Sequence, residues 1–150
     1  MRRTIFISAA SALAGFLAGG YLFSGTRRRK SMSLRKWATG RMNQRELLGL
    51  LGAVGMTRLP GLIPGVVLET DKTLVVRHPV YKDRIHYVAI PKKDIKNLSD
   101  LADEDVKYLS DIFAALQELI RRERLTNYQV TANGPGRQDV AYLHFHLVAR

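Results

Sequence analysis

The sequence predicts an α+β domain in which an antiparallel five-stranded sheet packs against one long helix, preceded by an N-terminal transmembrane helix. Short segments rich in β-branched and aromatic residues follow the order β-β-β-α-β-β with short connections, which is typical of antiparallel hairpins. One long segment has apolar residues at the three-to-four spacing of an amphipathic helix. Residues 4–25 contain no charged side chain, which is typical of a membrane span.

The first three strands are predicted at residues 65–70, 73–78 and 85–90. The long helix is predicted over residues 101–125, where the apolar positions are Leu101, Val106, Leu109, Ile112, Phe113, Leu116, Leu119 and Ile120. Two further strands are predicted at residues 127–134 and 139–150, joined by a Gly-Pro-Gly loop.

The net charge of +11 is unevenly distributed along the chain. All thirteen acidic residues lie in residues 46–150, whereas the charged residues of 1–45 are all basic. The folded part is therefore close to neutral, and nucleic-acid binding is disfavoured because membrane orientation explains the same basic charges. The chain has no cysteine, which excludes disulfides and cysteine-based metal or nucleophile chemistry.

The N-terminal segment is predicted to be a single-pass membrane anchor. As a helix, residues 4–25 would rise about 33 Å, enough to cross a hydrocarbon core of about 30 Å. The basic run at residues 27–30 would place the following domain on the matrix or cytoplasmic side. The arginine-rich, acid-free first 45 residues favour the mitochondrial inner membrane over a bacterial plasma membrane. A cleaved secretory signal and a cleaved mitochondrial presequence are the alternatives.

Three regions are predicted along the chain. Residues 1–30 form the membrane anchor or targeting segment, residues 31–64 a basic linker with a short helix, and residues 65–150 the folded domain. Asn43 and Glu46 have the spacing of a helix N-cap and its reciprocal partner, so the short helix is expected to begin there.

Two histidines near the C-terminus are candidates for chemistry. His144 and His146 lie two residues apart, so in a strand they would share one face. Such a pair suits metal ligation, nucleophilic catalysis or a structural role. The preceding segment, with Asn133, Gln138 and a glycine-rich turn, supplies amide groups and backbone N–H donors. Together these groups favour a phosphate ligand.

Three segments together resemble the histidine triad (HIT) family of nucleotide-binding hydrolases and transferases. They are IHYVAIPKKDI at 85–95, NGPGRQ at 133–138 and YLHFHLV at 142–148. The closing pattern of that family is Q-x-V-x-H-φ-H-φ-H-φ-φ, where φ is apolar. Gln138, Val140, His144 and His146 match it, and the resemblance extends from about Val67 to Val148.

The resemblance implies a role for each matching residue. His144 would be the nucleophile that attacks an α-phosphate to give a nucleotidyl-histidine intermediate, and His146 would contact the phosphate oxygens. Asn133 and Gln138 would hold the phosphate and the leaving group, with His86 in support. The resemblance implies no cofactor and no metal. The expected ligand is a nucleotide-type small molecule, and the expected assembly is a homodimer or a larger membrane complex.

The sequence also departs from the family pattern at three positions. Tyr142 occupies the first triad position, and Asp139 stands where many members have a small hydroxyl residue. His78 falls where the family usually has an acid that binds the ribose hydroxyls. Both His78 and Tyr142 are still expected to contact the substrate. The alternative hypothesis is therefore a catalytically silent HIT-like domain that serves as a structural or accessory subunit of a (mitochondrial) membrane complex.

Overall fold

The structure is a computed structural model that describes residues 2–27, 43–58, 61, 63–78 and 83–150. Much of the predicted basic linker, residues 31–42, lies outside the described residues. The helices are α1 (Arg2–Phe23), α2 (Gln44–Arg58) and α3 (Val106–Arg122). The strands are β1 (Val66–Glu69), β2 (Thr73–Arg77), β3 (Ile85–Pro91), β4 (Tyr128–Ala132) and β5 (Phe145–Ala149).

The five strands form one antiparallel sheet in the order β1-β2-β3-β5-β4. The long helix α3 contributes Ile112, Leu116 and Leu119 to the core that covers one face of this sheet. Tyr87, Ala89 and Leu147 are among the strand residues in the same core. The predicted α+β fold, with an antiparallel five-stranded sheet and one long helix, is confirmed.

The opposite face of the sheet carries the histidines. Side chains alternate between the two faces of a strand, so His86 and His146 point away from Tyr87 and Leu147. The strand register places His146 of β5 beside Val88 of β3. The core face and the histidine face are therefore separated by the sheet itself.

The last strand is shorter than the sequence predicts. It begins at Phe145, not at residue 139, so Tyr142 and His144 precede the strand ladder. The reason is that the backbone there bonds elsewhere: the Leu143 N–H donates to the Ile95 carbonyl, and the Tyr142 N–H donates to the Val140 carbonyl. Tyr142 is buried, whereas His144 and His146 are partly exposed.

The predicted membrane anchor is wrong. Among the helices in the described parts of the chain, none is long and apolar enough to cross a membrane. Helix α1 occupies the expected place, but alanine, glycine and serine make up much of its sequence and limit its apolar character. The predicted single-pass location on the matrix or cytoplasmic side, with its preference for the mitochondrial inner membrane, is overturned with it. The membrane contact of residues 4–25 stays a prediction.

The segment after α1 contacts the α+β domain. The Arg27 backbone N–H donates to Asp94 Oδ2 at 2.6 Å, and its guanidinium donates to Asp105 Oδ2 at 2.6 Å. The guanidinium of Arg58, at the end of α2, lies 4.5 Å from the centroid of the Tyr21 ring. Residues 21–27 are thus joined to the rest of the chain by charged contacts.

Candidate functional site

A cavity of about 460 Å³ lies between α2 and the histidine face of the sheet. Its polar lining comes from the imidazoles of His78, His144 and His146, together with Asn133 and Asp139. Its apolar lining comes from several elements and includes Leu48, Met56, Val76, Val88, Ile90 and Val140. The cavity therefore combines a few polar groups with a larger apolar lining, which is the usual composition of a small-molecule site.

Helix α2 forms a wall of this cavity because it approaches the chain before β5 at backbone contact. A Cβ atom added at Gly49 would collide with the Ala141 carbonyl. The Ala141 N–H in turn donates to the Arg45 carbonyl at 3.0 Å. The sequence predicted this helix but not its role. The signal that could have revealed it is the glycine beside Leu48, a small residue that permits close packing.

His144 is held in one orientation by a hydrogen bond to the backbone. Its Nδ1 lies 2.7 Å from the Tyr142 carbonyl oxygen. A carbonyl can only accept a hydrogen bond, so the proton must be on Nδ1. In the neutral ring, Nε2 then carries a lone pair and no proton, which is the state of a nucleophilic imidazole.

The other three histidines adjoin His144 in one cluster. His86 Nε2 lies 2.9 Å from His146 Nδ1, so one of these nitrogens donates and the other accepts. The ring of His78 stacks on that of His86 with centroids 4.2 Å apart. The rings of His144 and His146 meet edge to face at 4.9 Å. We call these four residues the imidazole cluster.

Two rings of the imidazole cluster, those of His146 and His86, favour the neutral state. Burial and, to a smaller extent, charge repulsion from the neighbouring His144, His86 and His78 together lower the pKa of His146 to about 4. Burial and His78 also lower the pKa of His86, against a smaller opposing effect of Asp83. Both rings are therefore uncharged near pH 7 and can act as hydrogen-bond donors and acceptors.

Gln138 and Tyr142 are placed differently from the histidines. Each is only 3% exposed, and their polar groups bond to the segment of residues 91–96, which we call the bridge segment. The Tyr142 hydroxyl lies 2.6 Å from the Pro91 carbonyl and 3.0 Å from that of Lys93. Gln138 Nε2 donates to the Lys96 carbonyl at 3.1 Å. Their substrate-binding roles remain predictions, and these contacts make them part of the site's framework.

The structure thus brings together most of the predicted site residues. His78, His144, His146, Asn133 and Tyr142 all line the cavity, and His86 adjoins it through His146. Gln138 lies behind Tyr142, with its amide nitrogen 3.5 Å from the Tyr142 carbonyl. In the part of the chain that the structure describes, no group of three or more acidic, histidine or cysteine side chains has the arrangement of a metal site.

Comparisons with known proteins agree with this architecture. The family model described as "Scavenger mRNA decapping enzyme C-term binding" matches residues 63–150. An uncharacterised HIT-like protein of Chlamydia muridarum is 32% identical over 85 residues, covering 55% of this chain and 68% of that protein. A HIT-like protein of Synechococcus elongatus is 33% identical over 86 residues, covering 55% and 75%.

Solved structures show the same fold. A HIT family hydrolase from Legionella pneumophila superposes with a TM-score of 0.57 at 30% identity, covering 63% of this chain and 88% of that one. A histidine triad nucleotide-binding protein from Candida albicans gives a TM-score of 0.53 at 27% identity, covering 63% and 71%. The matched family model, the similar relatives and the shared fold lead to one conclusion: this chain belongs to the histidine triad family.

Proposed function

We propose that this protein is a histidine triad hydrolase or nucleotidyl transferase that acts on the α-phosphate of a nucleotide substrate through His144. One observation carries the proposal: His144 lines the cavity, and the bond from its Nδ1 to the Tyr142 carbonyl leaves Nε2 of the neutral ring unprotonated. Two similar proteins of known structure, described as a hydrolase and as nucleotide-binding, support the reaction class and the ligand class.

The reaction would proceed in two displacements at phosphorus. The Nε2 lone pair of His144 attacks the α-phosphate, a nitrogen–phosphorus bond forms, and the leaving group departs with the electron pair of its bond. Water then attacks the same phosphorus, releases the nucleoside monophosphate and returns the neutral imidazole. A neutral imidazole needs no prior deprotonation to act as the nucleophile.

His146 would contact the non-bridging phosphate oxygens. Its Nδ1 is engaged with His86, so Nε2 is the nitrogen left for substrate. When His86 donates in that pair, Nε2 of His146 carries the proton and can donate to a phosphate oxygen. Asn133, which also lines the cavity, is proposed to assist at the phosphate or the leaving group.

The nucleoside would extend from the imidazole cluster along the apolar wall. Leu48 and Met56 of α2 and Val76 of β2 line the cavity and offer apolar surface to a base. His78 also lines the cavity, with its ring centroid 6.1 Å from that of His146, and can share a hydrogen bond with a sugar hydroxyl.

The division of the chain into residues 1–30, 31–64 and 65–150 also stays a proposal.

A catalytically silent accessory subunit is the second candidate. It is favoured by the internal use of the Tyr142 hydroxyl and the Gln138 amide, and by the carboxylate of Asp139 at the cavity, which would repel a phosphate.

Homodimer formation through the long helix and the edge strand also remains a prediction. Phe113 of α3 and Tyr128 of β4, each about half exposed, line a groove between these two elements.

The proposed function is tested by incubating the full-length protein with nucleoside phosphoramidates and dinucleoside polyphosphates. We expect release of a nucleoside monophosphate, and we expect His144→Ala to lower kcat/KM by at least about a thousandfold because the nucleophile is removed. Unfolding curves should show that the variant is folded. Absence of turnover of every substrate by the wild-type protein would favour the accessory-subunit hypothesis.

A further inference from the structure

The position of the nucleophilic histidine raises a physical problem. His144 precedes β5, so the sheet ladder does not fix its backbone, although a nucleophile must be held within a fraction of an ångström. The hydrogen bond that sets its tautomer comes from the carbonyl of Tyr142, which also lies outside the ladder. Some other contact must therefore hold this part of the chain.

The bridge segment supplies that contact. The peptide unit between Tyr142 and Leu143 has two polar groups, and both are engaged: its N–H donates to the Ile95 carbonyl, and its carbonyl accepts from His144 Nδ1. Because a trans peptide is planar, fixing the N–H on one side fixes the direction of the carbonyl on the other. The orientation of His144 therefore depends on how firmly this peptide is held against the bridge segment.

The Tyr142 side chain holds the same residue to the bridge segment at two further points. Its hydroxyl contacts the carbonyls of Pro91 and Lys93, and its ring is buried. The bridge segment is anchored in turn, because Lys93 pairs with the fully buried Asp105 and the Asp94 carboxylate accepts from the Arg27 N–H. A continuous set of contacts thus runs from Asp105 through Lys93 and Tyr142 to His144.

We propose that Tyr142 is a positioning residue whose hydroxyl, through the bridge segment, aims its own carbonyl at His144 and so keeps His144 in the tautomer with a proton on Nδ1. The inference rests on the proposed function for its kinetic consequence. It can nevertheless be tested without turnover, because the tautomer of a histidine is directly measurable.

The test compares the full-length wild-type protein with Tyr142→Phe, which removes only the hydroxyl. Long-range ¹H–¹⁵N correlation spectra of the histidine side chains report the tautomer of His144. We expect the Nδ1-protonated form in the wild-type protein and a mixture of tautomers in the variant. With an active substrate, kcat should fall about tenfold while KM changes less than about twofold, since the hydroxyl that is removed contacts the Pro91 and Lys93 carbonyls of the bridge segment.

Tyr87→Phe is the matched control. Tyr87 is equally buried, and its hydroxyl donates to Glu123 at 3.3 Å on the core side of the sheet. The control loses a buried phenol hydrogen bond without touching the bridge segment, so the His144 tautomer and kcat should not change. A wild-type His144 tautomer in folded Tyr142→Phe would overturn the proposal.

Two other outcomes are also decisive. If wild-type protein turns over no substrate, the proposed function fails, while the spectra still decide the role of Tyr142. If Tyr142→Phe does not fold, Tyr142→His, which keeps a side-chain donor, replaces it. The proposal then requires that the histidine variant folds with the proton on Nδ1 of His144, and the opposite tautomer would contradict it.

Discussion

The imidazole cluster and the bridge segment both adjoin Tyr142, and they differ in the charge of the groups they hold. In the cluster, burial and mutual repulsion keep His146 and His86 neutral. Around the bridge segment, a fully buried carboxylate, Asp105, stays charged because two cations and a backbone N–H surround it. The imidazole cluster thus holds neutral side chains beside the cavity, whereas the bridge segment is anchored by paired, buried charges.

This difference explains how one short motif serves two purposes. The imidazoles of His146 and His144, in the ladder and just before it, line the cavity, whereas the polar groups of Tyr142 and Gln138, further back, bond to the bridge segment. We therefore expect substitutions around the bridge segment to lower the free energy of unfolding, and to change the cavity only through that loss of anchoring.

The largest expected effect comes from removing the charge that anchors the bridge segment. Burial alone raises the pKa of Asp105, but hydrogen bonds from Lys93, the Ala102 N–H and Arg27 outweigh it and lower that pKa to about 2. Asp105→Asn leaves Lys93 and Arg27 without their buried partner, so we expect the free energy of unfolding to fall by about 3 kcal/mol. Urea unfolding of the full-length protein at pH 7 measures this change.

Glu104→Gln is the control for that experiment. Glu104 also approaches Lys93, at 3.6 Å, but its side chain is 65% exposed. A surface pair contributes little, so the control should change stability by less than about 0.5 kcal/mol. Equal effects of the two substitutions would show that the bridge segment is not anchored through Asp105.

The second effect concerns the wall of the cavity and not the bridge segment. Gly49→Ala places a methyl group against the Ala141 carbonyl, so α2 must shift away from the chain before β5. We expect a loss of about 2 kcal/mol from this overpacking and a weaker affinity for nucleoside monophosphates. Thermal unfolding and ligand titration check the two parts separately.

Gly55→Ala gives a matched control with the opposite sign. A Cβ at Gly55, in the same helix, meets no atom within 4 Å. Alanine is the better helix former by about 1 kcal/mol, so this variant should be more stable than the wild type. If both alanine variants were more stable than the wild type, the contact between α2 and Ala141 that the structure shows would be contradicted.

The sequence predicted the histidine face and not the framework behind it, for physical reasons. A two-residue period is enough to place His144 and His146 together, because alternation is a local property of strands. The burial of Tyr142 and Gln138 depends on the bridge segment, some 40 to 50 residues earlier in the chain, and no local pattern encodes that contact. The wall formed by α2 depends likewise on a distant contact, between Gly49 and Ala141.

The apolar N-terminal stretch illustrates the opposite error. Residues 4–25 contain no charge, and a helix does occupy Arg2–Phe23. Length and lack of charge are not sufficient for a membrane span, because alanine, glycine and serine contribute little apolar surface. Sequence patterns therefore predicted the type of secondary structure here better than its environment.

The smallest expected effect is a difference in the pH range over which the two regions lose stability. The folded pKa of His146 is about 4, below the usual 6.5, so the unfolded chain binds more protons between these values. The contribution of neutral His146 is therefore complete above pH 6.5 and is lost as the pH falls towards 4. For Asp105 the pKa is depressed from 3.8 to about 2, so its contribution persists to pH 3.8 and is lost only below it.

Unfolding temperatures measured from pH 7.5 to pH 2.5 should show both ranges. We expect His146→Gln to flatten the loss between pH 6.5 and 4 by a few degrees in Tm, and to leave the loss below pH 3.8 intact. The flattening should be partial, because the pKa of His86 is lowered as well and the wild-type ring remains there. If the slope of Tm against pH above pH 4 were unchanged in His146→Gln, burial would not disfavour protonation of His146. The contrast between the imidazole cluster and the bridge segment would then fail.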